Sequence, residues 1–113
     1  MGKFAFAGGR LVDGTGAAPV DNSLVLVDDD KITYAGARTE VPAGYEVEDC
    51  TGKTIMPGLI DTHLHFSGNL TDDDNDWVIE SVAQKQACAV KQSYDCLTHG
   101  LTTVCEIGRN GIA

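Results

Sequence analysis

Short runs of β-branched and aromatic residues fill the first half of the chain, and glycine, asparagine, aspartate and proline stand between them. Runs of this composition, bounded by turn residues, are typical of strands. The pattern predicts strands at residues 3–7, 10–13, 23–27, 32–35 and 46–50. The acidic residues 28–30 would form the turn between the third and fourth strands, and we expect the whole set to form a meander of β-hairpins.

The chain changes character at Pro57 and Gly58. Proline has no N–H to donate to a sheet and glycine accepts unusual backbone angles, so a strand must enter or leave a sheet at this point. We therefore divide the chain into a strand-rich portion at residues 1–56 and a second portion at residues 57–113.

The second portion predicts a βαβ unit. Residues 59–66 form its first strand, and a helix of roughly 25 residues follows, with an apolar face at helical spacing and Thr71 or Asp72 as its N-terminal cap. Gly100 is a suitable stop for that helix, and residues 102–107 are β-prone again. Two parallel strands and one helix do not complete a parallel sheet. We therefore expect the remaining strands to come from a longer chain or from a separate polypeptide.

Composition and charge exclude several kinds of partner. The 113 residues include 17 acidic and 8 basic side chains, for a formal net charge of −9. Without a basic stripe the chain would repel nucleic acid and anionic lipid, and it has neither an apolar run long enough to span a membrane nor a signal peptide. The four cysteines form no C-x-x-C pair and are expected to be buried thiols. We expect a cytoplasmic protein that binds neither nucleic acid nor membranes.

The most informative motif is Asp61-x-His63-x-His65 on the predicted strand. Because side chains alternate along a strand, these three residues point to one face, and the two imidazoles can converge on one ion. Two neutral imidazoles and a carboxylate suit zinc or a similar divalent metal. A pair of histidines satisfied within a core is the alternative, since two ligands alone do not make a metal site.

Two longer stretches carry a family resemblance. Met-Pro-Gly-Leu-Ile-Asp-Thr-His-Leu-His at residues 56–65 and Leu-Thr-His-Gly-Leu-Thr-Thr-Val at residues 97–104 resemble the amidohydrolase superfamily of metal-dependent hydrolases. The resemblance implies an α/β fold, in which the first portion belongs to a composite β-sandwich and the second portion is the first βαβ unit of a (β/α)₈ TIM-like barrel. It also implies that His63 and His65 bind one or two divalent ions, zinc first among them.

Other residues carry further hypotheses. Asp61 is expected to orient one of the two histidines through a hydrogen bond. Gly68 and Asn69 follow the first barrel strand, where barrel enzymes place substrate contacts, and are candidate substrate-binding residues. Glu106 stands where the family usually has aspartate, and we interpret it as structural. His99 lies at the end of the predicted helix, where a cation is favoured, and we do not count it as a ligand.

The resemblance implies hydrolysis of an amide or another C–N bond in a dipeptide or other small molecule. No catalytic residue is assigned within the chain, so we expect it to be the N-terminal fragment of a homo-oligomeric enzyme whose barrel is completed in cis or by a separate chain. Dipeptidases and carboxypeptidases acting on Xaa-Pro or Xaa-Arg are the branch that it resembles most. Cyclic amidohydrolases similar to imidazolonepropionase, and a non-catalytic module that complements a partner, are the alternatives.

Overall fold

A computed structural model of the chain describes residues 2–66 and 81–107. Eight strands and one helix lie in these ranges: β1 (Lys3–Ala7), β2 (Arg10–Leu11), β3 (Ser23–Asp28), β4 (Lys31–Ala37), β5 (Glu46–Asp49), β6 (Thr54–Ile55), β7 (Leu59–Leu64), α1 (Val82–Thr98) and β8 (Leu101–Glu106). The chain forms two compact units that divide between Pro57 and Gly58. Strands β1 to β6 belong to the first unit, and β7, α1 and β8 belong to the second.

The first unit is built on a four-stranded sheet in the order β4-β3-β1-β5. Strand β3 pairs antiparallel with both β4 and β1, whereas β5 lies parallel to β1. A second, parallel pair joins β2 to β6, a short strand that the sequence pattern did not predict. The predicted meander is therefore wrong, because β1 and β2 find their partners far along the chain and two of these pairings are parallel.

The predicted hairpin between β3 and β4 is confirmed. Asp29, in its turn, has a φ of +56°, a left-handed conformation that aspartate tolerates better than most residues. The centre of the sheet forms the core of this unit, where Ala5 and Leu24 are fully buried and Tyr34 packs against their cluster. Burial on both sides explains why β3 is almost continuously apolar.

The second unit is a βαβ arrangement, as predicted. Strands β7 and β8 are parallel, and α1 precedes β8 in the chain. The helix ends at Thr98 with His99 as its C-cap, and Gly100 follows with a φ of +86°, which confirms its predicted role as the stop. Because parallel strands end at the same edge of a sheet, the last residues of β7 and β8 lie side by side.

The helix α1 has 17 residues and begins later than the sequence pattern predicts. Its N-cap is Ser81, which exchanges hydrogen bonds with Gln84 in a capping box. The predicted caps, Thr71 and Asp72, lie outside the described residues. The predicted helix of roughly 25 residues was too long because apolar periodicity continues across Ser81, whereas the Ser-x-x-Gln signal at Ser81 marks a helix start.

The structure also bears on the expected burial of the cysteines and on the expected lack of a membrane span. All four cysteines are free thiols, but only Cys50 and Cys88 are buried, and Cys105 is exposed on β8. The expectation of four buried thiols is therefore wrong for Cys105, and Cys96 is only partly buried. Within residues 2–66 and 81–107, no helix has the length and apolar character needed to cross a membrane.

Candidate metal centre

The two histidines of the motif lie together at the C-terminal end of β7. His63 is in the strand and is exposed, whereas His65 directly follows the strand and its side chain is 33% exposed. Their ring centroids are 5.2 Å apart and the ring planes meet at 88°. The spacing of two residues thus brings two imidazoles to one edge of the β7–β8 pair, as the alternation of side chains along a strand requires.

Asp61 supports this segment through the main chain. The pairing of β7 with β8 is irregular between Asp61 and Leu64, and Asp61 Oδ1 accepts a hydrogen bond from the His63 backbone N–H at 2.9 Å. The carboxylate thus satisfies a backbone donor at an irregularity of the strand, a common feature beside functional sites. The observed bond reaches the main chain of His63, so an interaction of Asp61 with a histidine ring stays a prediction.

Glu106, at the end of β8, faces the same edge. One carboxylate oxygen, Oε2, accepts a hydrogen bond from the backbone N–H of Phe66, and the other, Oε1, lies 3.5 Å from His65 Nδ1. That distance is within ion-pair range, but the geometry is not that of a hydrogen bond, and His65 Nδ1 is a buried atom with no hydrogen-bond partner among the described residues. These contacts were not predicted from the sequence, although the position of Glu106 at the end of the strand parallel to the histidine strand could have indicated them.

Helix α1 contacts the turn that follows β7 through the side chain of Gln92. With the amide nitrogen of Gln92 assigned to face β7, Gln92 donates hydrogen bonds to the carbonyl oxygens of His65, at 3.1 Å, and of Phe66. The backbone of Ile107 also donates to the carbonyl of Leu64 at 3.2 Å. The turn that carries His65 is therefore held by groups from α1 and from the end of β8.

His99 is not part of this cluster. His99 lies at the beginning of β8, away from its C-terminal end, and its Nδ1 is 2.7 Å from the Asp95 carbonyl oxygen. Gly68 and Asn69 lie outside the described residues, so their role in substrate binding stays a prediction.

The chemistry of the donors fits a divalent metal ion in part. Two imidazoles that share one edge can bind zinc, and the shielded Nδ1 of His65 leaves the other ring nitrogen, Nε2, as the candidate ligand atom. Within the described part of the chain, no group of three or more histidine, cysteine, aspartate or glutamate side chains is arranged to hold an ion. His63 and His65 can therefore supply a portion of a metal site.

The sequence matches a known family over its second half. The model of the amidohydrolase family matches residues 54–113. The imidazolonepropionase of Hyphomonas neptunium is 39% identical over 67 residues, which cover 51% of this chain and 16% of that protein. The 5-methylthioadenosine/S-adenosylhomocysteine deaminase of Symbiobacterium thermophilum is 38% identical over 73 residues, which cover 62% of this chain and 17% of that protein. The dihydroorotase of Pelotomaculum thermopropionicum is 43% identical over 64 residues, which cover 57% of this chain and 14% of that protein.

Solved structures resemble almost the whole chain. An amidohydrolase matches with a TM-score of 0.82 and 28% identity over 96% of this chain and 26% of that one. Molinate hydrolase matches with a TM-score of 0.75 and 27% identity over 91% of this chain and 23% of that one. An Xaa-Pro dipeptidase matches with a TM-score of 0.83 and 23% identity over 97% of this chain and 27% of that one. The chain thus spans less than a fifth of these curated relatives and about a quarter of these solved chains.

Proposed function

Because this chain belongs to the amidohydrolase family, we propose that it supplies two metal ligands, His63 and His65, to a hydrolase that acts on C–N bonds. The observation that carries the proposal is the pair of imidazoles 5.2 Å apart at the C-terminal end of β7, beside the end of the parallel strand β8. In barrel enzymes this is the edge where the active site lies. We propose one or two divalent ions, zinc first, since imidazole nitrogen is a common zinc ligand.

Each residue of the chain has a defined task in this proposal. A divalent ion held at this edge would supply Lewis acidity for the activation of water and the polarisation of the substrate carbonyl. His63 and His65 hold that ion as neutral imidazoles, and Asp61 fixes the backbone at His63 through its hydrogen bond to the N–H. The general base and the remaining ligands are assigned to parts of the barrel outside this chain, so the described residues bind and orient the ion and do not themselves transfer the proton.

For the substrate we propose a dipeptide with proline or arginine at its second position. The likeness to an Xaa-Pro dipeptidase agrees with this choice, but at 23% identity it shows the fold alone. Sequence similarity favours a second candidate, a cyclic amide, because imidazolonepropionase and dihydroorotase are among the relatives with 39% and 43% identity. We further propose that the enzyme is cytoplasmic and homo-oligomeric. A non-catalytic module that complements a partner is the contrasting hypothesis.

Metal removal and a substrate panel test the proposal. The protein that carries this chain together with the rest of its barrel would be stripped with a chelator and reloaded with zinc. It would then be assayed with Xaa-Pro and Xaa-Arg dipeptides, imidazolone propionate and dihydroorotate. We expect hydrolysis that disappears with the metal and returns with it. A protein that binds no divalent ion and hydrolyses none of these substrates would favour the non-catalytic module.

A further inference from the structure

We propose that Glu106 is a positioning residue for His65, whose ring it orients so that Nε2 faces the metal. The inference rests on the proposed function, because it takes His65 to be a metal ligand. It extends that function to a residue on the neighbouring strand that the sequence analysis interprets as structural. The geometry of three groups supports it: the carboxylate of Glu106, the buried ring nitrogen of His65 and the backbone of the turn after β7.

The carboxylate of Glu106 spans two neighbouring groups of that turn. Its Oε2 accepts the backbone N–H of Phe66, which fixes the carboxylate against the main chain immediately after His65. Its Oε1 then lies 3.5 Å from His65 Nδ1. Because one oxygen is anchored on the backbone, the position of the other relative to the ring is determined by the fold and not by a freely rotating side chain.

The ring nitrogen that faces Glu106 is shielded from water. His65 Nδ1 is buried and has no hydrogen-bond partner among the described residues, so the nearby negative charge favours the tautomer with its hydrogen on Nδ1. In a neutral imidazole this leaves the lone pair on Nε2, which is the form that binds a metal ion. Metal-binding histidines generally use a carboxylate or carbonyl on their second nitrogen in this way.

Gln92 holds the opposite side of the same turn. Its amide nitrogen donates to the carbonyls of His65 and Phe66, while Glu106 accepts the N–H of Phe66. The carbonyl oxygens of the turn are thus bound by a residue of α1, and the backbone N–H of Phe66 is bound by a residue of β8. Such a constraint limits the rotation of the main chain at His65, so that the contact with Glu106 can determine the orientation of the ring.

The test compares two glutamate variants of the protein that carries this chain together with the rest of its barrel, which we call the barrel-completed protein. Glu106→Gln keeps the length of the side chain and an acceptor for Phe66 N–H, but removes the charge beside His65. Glu46→Gln, on the exposed strand β5 of the other unit, is the matched control. Zinc affinity, measured by competition with a chelator, should fall about 10–100-fold in Glu106→Gln and stay unchanged in Glu46→Gln.

A spectroscopic measurement separates positioning from a general structural effect. In the metal-free parent, ¹⁵N shifts of the histidine rings should show His65 with its hydrogen on Nδ1. In Glu106→Gln the population should move toward the Nε2–H form, and in Glu46→Gln it should not. If Glu106→Gln does not fold, the tautomer of His65 in the parent still tests the proposal. An Nε2–H tautomer in the parent, or an unchanged zinc affinity in folded Glu106→Gln, would overturn the proposal.

His65→Ala distinguishes this inference from the proposed function. If His65→Ala loses metal and Glu106→Gln keeps the parent's affinity, only the role of Glu106 is wrong. If His65→Ala keeps the metal of the parent, the ligand assignment itself is wrong, and the positioning role fails with it.

Discussion

Gly58 and Thr102 lie so close together where β7 and β8 begin that a β-carbon on Gly58 would stand 2.0 Å from Thr102 Oγ1 and 2.7 Å from Thr102 Cβ. The neighbouring backbone explains the approach, because the N–H of Leu59 donates to the carbonyl of Gly100 at 2.8 Å. Glycine in the Pro57-Gly58 pair is therefore required by the packing of two strands, and not only by a turn. This contact fixes the start of the strand that carries the histidines.

Gly58→Ala should destabilise the protein through this contact. The added methyl cannot avoid Thr102, whose Cβ is part of the clash, and overpacking of this kind costs about 1–3 kcal/mol. Denaturant unfolding of the parent, Gly58→Ala, Thr102→Gly and the double variant would measure the coupling between the two positions. We expect the double variant to lose less stability than the sum of the single variants. Strictly additive losses would mean that the two residues do not clash.

Replacement of the two clustered histidines should lower the metal content of the barrel-completed protein. His63→Ala and His65→Ala each remove an imidazole ligand, whereas His99→Ala removes a side chain at the other end of β8. Metal analysis after dialysis should show a loss in the first two variants and parental content in the third. Equal loss in all three variants would indicate a general folding defect and contradict the ligand assignment.

Two Asp-x-Thr-Gly turns lead to matched predictions about the pKa values of their carboxylates. Asp13 Oδ1 accepts the N–H and hydroxyl of Thr15, and Asp49 Oδ1 accepts those of Thr51, so both aspartates have pKa values below their usual range. The backbone bond is the main cause at Asp13, whereas the Thr51 hydroxyl is the main cause at Asp49. Thr51→Val should therefore raise the Asp49 pKa more than Thr15→Val raises that of Asp13, as ¹³C NMR titration would show.

The sign of the linked stability follows from these lowered pKa values. A carboxyl group whose pKa is lower in the folded state stabilises the fold at pH above its unfolded pKa, and this contribution is lost as the pH falls through the folded pKa. Thr51→Val should thus reduce stability near neutral pH, and the difference from the parent should shrink in acid. Unfolding curves at several pH values would check this, and a difference that grows on acidification would contradict it.

The N-terminal cap of α1 should contribute measurably to stability. Ser81 Oγ accepts the N–H of Gln84 at 3.3 Å, and the Gln84 side chain accepts the N–H of Ser81 at 2.9 Å. Ser81→Ala should cost about 1 kcal/mol of unfolding free energy. Ser93→Ala is the matched control, because its hydroxyl only bonds back to the Ala89 carbonyl within the helix. Equal effects of the two substitutions in thermal unfolding would show that the cap is not important.

Residues 1–113 expressed alone should associate. Large apolar side chains of the second unit are exposed, among them Ile60 at 67%, Val90 at 73% and Tyr94 at 68%. Exposed apolar side chains of this size favour association. Light scattering after gel filtration should show oligomers or aggregates, and Val90→Lys with Tyr94→Lys should shift them toward monomer. A monomer that unfolds cooperatively would contradict the expectation that the chain needs the rest of a barrel.

Local signals in the sequence were sufficient for much of this chain. Turn residues and β-prone runs located β1, β3, β4 and β5, and Gly100 located the end of α1, because each signal depends on neighbours within a few residues. The spacing of His63 and His65 likewise determined that their rings share one edge, since side chains alternate along any strand. The start of α1 was also encoded locally, in the capping box at Ser81, but the apolar periodicity masked it.

Only the tertiary structure decided which strands pair and what surrounds the histidines. The parallel pairings of β1 with β5 and of β2 with β6 join segments far apart in the chain, and no local pattern specifies such partners or their register. The same is true of Glu106, which is 40 residues from the Phe66 N–H that it accepts. Its place beside His65 depends on the register of β7 against β8, and that register is set by the packing of whole strands, not by the residues around Glu106.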